Sequence, residues 1–198
     1  MKLFKLTPLL VLIITSGLAQ AHSGHFVVTG LFSGLAHPLS GFDHFIVILL
    51  VGFWSAYAFK KVWLGPVSFM VGMTVGMALG LANPSYYWLE LGIAFSVMGI
   101  GILMFLQKRF SSNAILGLIG FFGVFHGFAH TEYLSISAMT STSLLVADLI
   151  GLLIATSVLH VVGVGIARVT KNKITILSKG VSVIAFFYGV FLLTQFTN

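Results

Sequence analysis

The chain alternates long apolar stretches with short polar connections. Beyond residue 39 it contains six apolar segments, each close to the ~20 residues that an α-helix needs to cross a bilayer core. Lysine, arginine, asparagine, proline and serine are concentrated in the connections between the segments. The predicted spans are Ser40–Phe59, Trp63–Leu81, Tyr86–Leu106, Asn113–Thr131, Leu144–Ala167 and Ile174–Phe196.

The start of the chain has a different pattern. Two lysines precede a short apolar core at residues 6–18, and Ala-Gln-Ala at residues 19–21 has the small-x-small form of a signal peptidase site. The core is shorter than a membrane span. We therefore expect residues 1–21 to be a cleaved signal peptide and residues 22–198 to form one transmembrane domain. The alternative is an uncleaved seventh helix.

The region before the first span requires a break. A single helix over residues 26–59 would be about 51 Å long, whereas the hydrocarbon core is ~30 Å thick. Proline disfavours helical geometry in the residue before it. We therefore expect the chain to break at His37-Pro38 and residues 26–36 to form a short interfacial or re-entrant segment.

Composition agrees with this pattern. The chain is 58% hydrophobic and 7% charged, with a mean hydropathy of +1.09, while soluble domains carry about 25% charged residues. The expected fold class is all-α, a polytopic transmembrane helical bundle. Cysteine is absent and no GxxxxGK[ST] loop occurs, so thiolate ligands and a P-loop are excluded.

Basic residues predict the orientation in the membrane. With the mature N-terminus outside, every lysine and arginine beyond the signal peptide falls in or beside an inner connection, which is the asymmetry that the positive-inside rule describes. The C-terminus then also lies outside. These residues are Lys60, Lys61, Lys108, Arg109, Arg168, Lys171, Lys173 and Lys179.

The four acidic residues lie at the opposite, outer ends of the predicted spans. Asp43, Glu90 and Asp148 are near helix starts, where the helix dipole favours a carboxylate. Glu132 is predicted to end the fourth span, where the dipole opposes it. An outer acidic rim formed by these residues is expected to attract cations.

Two short motifs concentrate the ionisable side chains. Residues 37–44 read His-Pro-Leu-Ser-Gly-Phe-Asp-His, and residues 126–132 read His-Gly-Phe-Ala-His-Thr-Glu. His126 and His130 are spaced i, i+4, which places both rings on one helix face. Both motifs lie near the outer ends of spans, so we expect them to meet and bind a divalent metal ion. Imidazoles with few carboxylates suit nickel, cobalt, copper or zinc.

Three further histidines are weaker candidates. His22 and His25 would follow the cleavage site and could chelate a cation with the new amino terminus, or belong to a polar tether. His160 lies alone in the fifth span, as a packed residue or an accessory ligand. Haem is a poorer interpretation of the clusters, because carboxylates beside the histidines do not suit a haem face.

Glycines recur every four residues in the second span. Gly72, Gly76 and Gly80 form a small-residue packing face. Such a face could also mediate a homo-oligomer.

Both motifs, together with the signal peptide, resemble those of the HupE/UreJ family of nickel/cobalt membrane proteins. The resemblance covers essentially the whole chain. It implies nickel or cobalt as the substrate. It also implies a list of functional residues: His37, Asp43, His44, His126, His130 and Glu132.

These observations lead to one expected function with an open alternative. We expect a secondary permease that takes up nickel or cobalt across the bacterial inner membrane, with no enzymatic activity, no prosthetic group and no nucleic-acid partner. The alternative is a non-transporting accessory that binds metal for hydrogenase or urease maturation, or a metal sensor. A proton-conducting or redox subunit is a further rival that the absence of haem spacing disfavours.

Overall fold

The computed structural model describes residues 29–83, 89–106 and 109–195, and every regular element in these ranges is helical. A short 3-10 helix, Lys171–Lys173, precedes the last α-helix. The α-helices of the described ranges are α1 Leu31–Ser40, α2 Phe42–Ala58, α3 Leu64–Ala82, α4 Leu89–Leu106, α5 Ser112–Ala129, α6 Thr131–Thr140, α7 Thr142–Val169 and α8 Ile174–Gln195.

The described helices include several that can cross a membrane. α3, α5, α7 and the segment Lys171–Gln195, which contains α8, are long and apolar enough. α1 and α2 pass the same criterion together, but are bent by 88° relative to each other. In α4, the apolar stretch Glu90–Leu106 is shorter. The protein is therefore an all-helical membrane protein with four membrane-capable helices, or five if the bent pair is one span. Six spans remain a prediction.

The break between α1 and α2 lies at Gly41, so its predicted position at His37-Pro38 is wrong. Gly41 has an extended backbone, with φ −103° and ψ 117°, while Pro38 lies inside α1. Packing explains why the helix continues past the proline. A Cβ on Gly34 would overlap the backbone carbonyl of Asp148, so α1 lies directly on α7. This tertiary contact outweighs the local preference against helix before proline.

Glycines on both partners bring α2 and α7 together. A Cβ on Gly52 would overlap the carbonyl of His160, and one on Gly163 would overlap the carbonyl of Leu49. Small residues let helix backbones approach closely in this way. α7 therefore contacts both α1 and α2 and fixes their positions relative to each other.

The glycine face of α3 packs against α5 of the same chain. A Cβ on Gly72 would overlap the Gly120 carbonyl, one on Gly76 the Val124 carbonyl, and one on Gly80 the Thr131 side chain. The predicted packing role is confirmed. This face is covered within one chain, and the suggested homo-oligomer through it stays a prediction.

A different side of α3 is an exposed apolar stripe. Val67, Val71, Val75 and Leu79 are 45–59% exposed and recur every four residues. Apolar side chains on the outside of a helical bundle suit contact with lipid tails. α3 thus turns its small residues inward and its branched residues outward.

Candidate metal site

The first turn of α2 holds an acid–imidazole pair. Nδ1 of His44 lies 3.2 Å from Oδ1 of Asp43, and both side chains are mostly shielded. The glycine at the bend leaves room for the pair, since a Cβ on Gly41 would lie 2.8 Å from Asp43 Oδ1 and 3.3 Å from His44 Nδ1. A carboxylate on one ring nitrogen orients the imidazole and leaves the other nitrogen as the acceptor.

The end of α5 carries two fully shielded imidazoles. His126 lies in the last turn of the helix, and His130 is the residue that caps it, with helical dihedrals of φ −79° and ψ −9°. Their exposed fractions are 0% and 1%. Because the helical geometry continues to His130, the i, i+4 spacing places both rings on the same side of α5.

These elements bring four imidazoles into ring contact. The His44 ring centroid lies 4.8 Å from that of His126 and 4.9 Å from that of His130. His37, near the end of α1, lies 4.9 Å from His130. The two motifs therefore meet. We call His37, His44, His126 and His130 the imidazole cluster.

The cluster contains buried nitrogens that have no hydrogen-bond partner in the described part of the chain. They are Nε2 of His44, Nδ1 of His126 and both nitrogens of His130. Buried polar atoms are normally paired, so such a group requires an explanation. Among the described residues, no three His, Asp or Glu side chains already have the arrangement of a metal site. The rings are close, but a shared ion would require them to reorient.

The second nitrogen of His126 does have a partner. Nε2 of His126 lies 2.7 Å from Oγ of Ser96, a completely buried serine on α4. The same hydroxyl donates to the Ile93 carbonyl at 2.7 Å. Ser96 was not among the candidate residues predicted from the sequence, although a serine inside an apolar span was a usable signal.

Asp148 occupies a different position from the one predicted. Its side chain is completely buried in α7, beyond the first turn, so it does not contribute to an exposed outer rim. It accepts hydrogen bonds from the backbone N–H of Gly30 at 2.8 Å, from the Tyr133 hydroxyl and from the Ser137 hydroxyl. We call Asp148 and these donors the carboxylate network. It connects the start of α1 to α6 and α7.

Tyr133 joins the carboxylate network to the imidazole cluster. Its ring stacks on His37 at 4.4 Å with an interplanar angle of 12°, and its hydroxyl oxygen lies 2.6 Å from Oγ of Ser33 on α1. Residues 132–143 were predicted to be a connection between spans, so α6 and its tyrosine were not expected. Tyr133 directly follows the second motif, and this position was a signal that could have identified it.

The exposed carboxylates lie outside the ring cluster. Glu132 was predicted to sit at a helix C-terminus, but it is in the first turn of α6, so the expectation of an opposing dipole is wrong. α5 ends at Ala129 and a new helix starts at Thr131, which reverses the local dipole. Glu90, in the first turn of α4, is also exposed.

His160 is separated from the cluster by an aromatic ring. The completely buried Phe69 contacts His126 at 5.3 Å and His160 at 5.6 Å between ring centroids. The His160 nitrogens have no side-chain hydrogen-bond partner among the described residues. The predicted signal peptide (residues 1–21), His22 and His25 lie outside the described residues.

The fold and the site define a helical membrane protein that buries a group of imidazoles beside an acidic residue. Comparison with known proteins gives the family. The family described as HupE / UreJ protein matches residues 10–192, and the chain belongs to it.

A curated relative covers most of the chain. It is "Protein HupE" of Rhizobium leguminosarum bv. viciae, which is 33% identical over 174 residues, covering 87% of this chain and 88% of the relative. No solved structure matches the chain.

Proposed function

We propose that this protein is a secondary permease for nickel or cobalt uptake across the inner membrane. Its metal site is the imidazole cluster together with Asp43, near the outer face. The observation that carries the proposal is the set of unpaired nitrogens on His44, His126 and His130, all buried. Metal ligation would satisfy these atoms, which otherwise carry a desolvation cost.

The chemistry of the cluster limits the choice of ion. Neutral imidazoles suit nickel, cobalt, copper and zinc, whereas calcium and magnesium prefer oxygen ligands. The chain belongs to the HupE/UreJ family, and its motifs resemble those of nickel/cobalt membrane proteins. Both points favour nickel or cobalt within that group.

The proposed approach to the cluster is a surface pocket beside His37. A surface pocket of about 320 Å³ is lined by Phe32, Ser33, Ala36, His37 and Ser40, all on α1. In the proposed path a hydrated cation is attracted by Glu132 and Glu90, exchanges water for Asp43 and imidazole ligands, and moves inward past Phe69 and His160. Asp148 has no place in this path, because its oxygens are already engaged.

Energy for uptake can come from the membrane potential. A doubly charged ion gains about 4.6 kcal/mol per 100 mV, inside negative, at ~2.3 kcal/mol per charge. The proposed topology has both termini in the periplasm and six spans. Reporter fusions after Lys61, Arg109 and Lys173 should then report cytoplasm, and fusions after Ser137 should report periplasm. A cytoplasmic C-terminus would rule out this topology.

The decisive experiment is metal flux into liposomes that contain only the purified protein. Nickel and cobalt should accumulate inside, faster with an inside-negative potential, while magnesium should not. His44→Ala liposomes serve as the inactive control at equal protein incorporation. Tight nickel binding without flux would refute the permease.

The alternative function is a non-transporting accessory for metalloenzyme maturation. One observation favours it: Phe69 is completely buried and packs between His126 and His160, so an aromatic ring closes the inner side of the cluster. The liposome experiment separates the two functions, because an accessory would bind metal and release none into the lumen.

A further inference from the structure

Ser96 is positioned to determine which nitrogen of His126 carries the proton. A serine hydroxyl has one hydrogen, and it can act as donor in only one hydrogen bond at a time. Ser96 Oγ donates to the Ile93 carbonyl at 2.7 Å, within its own helix α4. Its 2.7 Å contact with Nε2 of His126 must then be one in which the hydroxyl oxygen accepts.

This assignment fixes the state of the ring. If Nε2 of neutral His126 donates its N–H to Ser96, then Nδ1 has no proton and carries the free lone pair. Nδ1 is also the nitrogen that has no partner in the described part of the chain. The His126 ring that carries this lone pair lies 4.8 Å from the His44 ring.

We infer that Ser96 is a positioning residue that holds His126 in the Nε2–H tautomer and keeps Nδ1 available as a metal ligand. The ligand role rests on the proposed function, whereas the tautomer does not. His44 has the complementary arrangement, because Asp43 lies at its Nδ1 and leaves Nε2 unpaired. Two neighbouring rings thus use opposite nitrogens, each oriented by an oxygen acceptor, as is usual for histidines that bind metals.

The chain offers a matched control for deleting the hydroxyl. Ser182 on α8 is also buried, with 1% of its surface exposed, and its hydroxyl donates to the Ser178 carbonyl in its own helix at 2.6 Å. Its hydroxyl has no imidazole partner among the described residues. Ser182→Ala therefore reproduces the loss of a buried serine hydroxyl without touching a ring.

The test measures the tautomer in the metal-free full-length protein. Nitrogen-15 NMR of histidine-labelled protein in detergent, with His126 assigned by its loss in His126→Gln, should show Nε2–H for wild type and Ser96→Thr. Ser96→Ala should shift His126 to a mixture or to Nδ1–H, and Ser182→Ala should leave it unchanged. An Nδ1–H ring in wild type would overturn the inference even if no Ser96 variant folds.

Nickel titration calorimetry on the same samples tests the ligand role. Ser96→Ala should weaken nickel binding about tenfold, the lower end of the effect for groups that orient a metal ligand, and Ser182→Ala should not. Equal nickel affinity of Ser96→Ala and wild type would overturn the ligand role. Wild type that binds no nickel but shows the Nε2–H tautomer would refute the proposed function and support the assignment to Ser96.

Discussion

Two groups of buried polar side chains lie next to each other in this protein, and they differ in how fully they are paired. The carboxylate network surrounds Asp148 with three donors. Within residues 29–83, 89–106 and 109–195, the imidazole cluster leaves nitrogens of His44, His126 and His130 without partners. Burying a polar group costs free energy unless it is paired. A paired group can therefore stabilise the fold, whereas an unpaired group lowers stability unless a ligand fills it.

The comparison separates structure from function within one region. Tyr133 contacts both groups, since its hydroxyl bonds Asp148 and its ring stacks on His37. The carboxylate network thus holds α1 in place, and with it the His37 ring. Substitutions can test whether the carboxylate network governs stability and the imidazole cluster governs metal handling.

The largest effect is expected from Asp148→Ala. Three donors would lose their acceptor, at about 1–3 kcal/mol for each one that is left buried and unsatisfied. Thermal unfolding in detergent should show a severely destabilised protein, and nickel uptake should fall with it. The control is Glu90→Gln, which changes an exposed carboxylate and should unfold like wild type. An Asp148→Ala protein of normal stability would show that the network does not support the fold.

The next largest effect is expected from His130→Leu, which should separate fold stability from nickel uptake. Leucine removes two buried unpaired nitrogens, so the free energy of unfolding should stay equal or increase. Nickel uptake should be lost, because the central ring of the cluster is gone. Loss of stability equal to that of Asp148→Ala would contradict the proposed division.

The effects of two histidine substitutions on nickel accumulation should not add. If His44 and His130 share one ion, either His44→Ala or His130→Ala should remove most nickel accumulation, and the double variant should remove little more. Accumulation at several external concentrations measures this. Two mild defects that multiply in the double variant would indicate separate sites.

A smaller effect is expected at the residue that joins the two groups. Tyr133→Phe keeps the ring stacked on His37 but removes one donor to Asp148, so stability should fall by about 1–3 kcal/mol while uptake continues. Tyr133→Leu removes the stacked ring as well, and uptake should fall further. Unfolding and uptake measured on both variants check this, and equal uptake in the two would exclude a role of the stack.

The smallest effect is expected from Glu132→Gln. Glu132 is exposed and lies outside the ring contacts, so its role is attraction at long range, which salt screens. Uptake should weaken at low external nickel and recover as nickel is raised. A defect that persists at saturating nickel would place Glu132 among the ligands instead.

Local patterns predicted several parts of this protein. The i, i+4 spacing of His126 and His130 needed only a helix to bring the rings to one face. The adjacent pair Asp43 and His44 formed as neighbours in a first helical turn. These outcomes depend on a few consecutive residues, which is why the pattern was enough.

Other features depended on contacts between distant residues. The break moved from His37-Pro38 to Gly41 because α1 packs on α7 through Gly34. Asp148 was predicted in an exposed rim, but the Gly30 N–H and the hydroxyls of α6 enclose it. Ser96 acquired its significance only from its distance to His126 on another helix.

The sequence by itself determined the class of protein, most of the helical segments and the residue types available for metal chemistry, because hydropathy and spacing act along the chain. Only the tertiary structure decided which polar groups are paired. Asp43 and Asp148 are both carboxylates near helix starts, yet Asp43 orients an imidazole and Asp148 ties helices together. That difference arises from the helices packed around each residue, which no local pattern specifies.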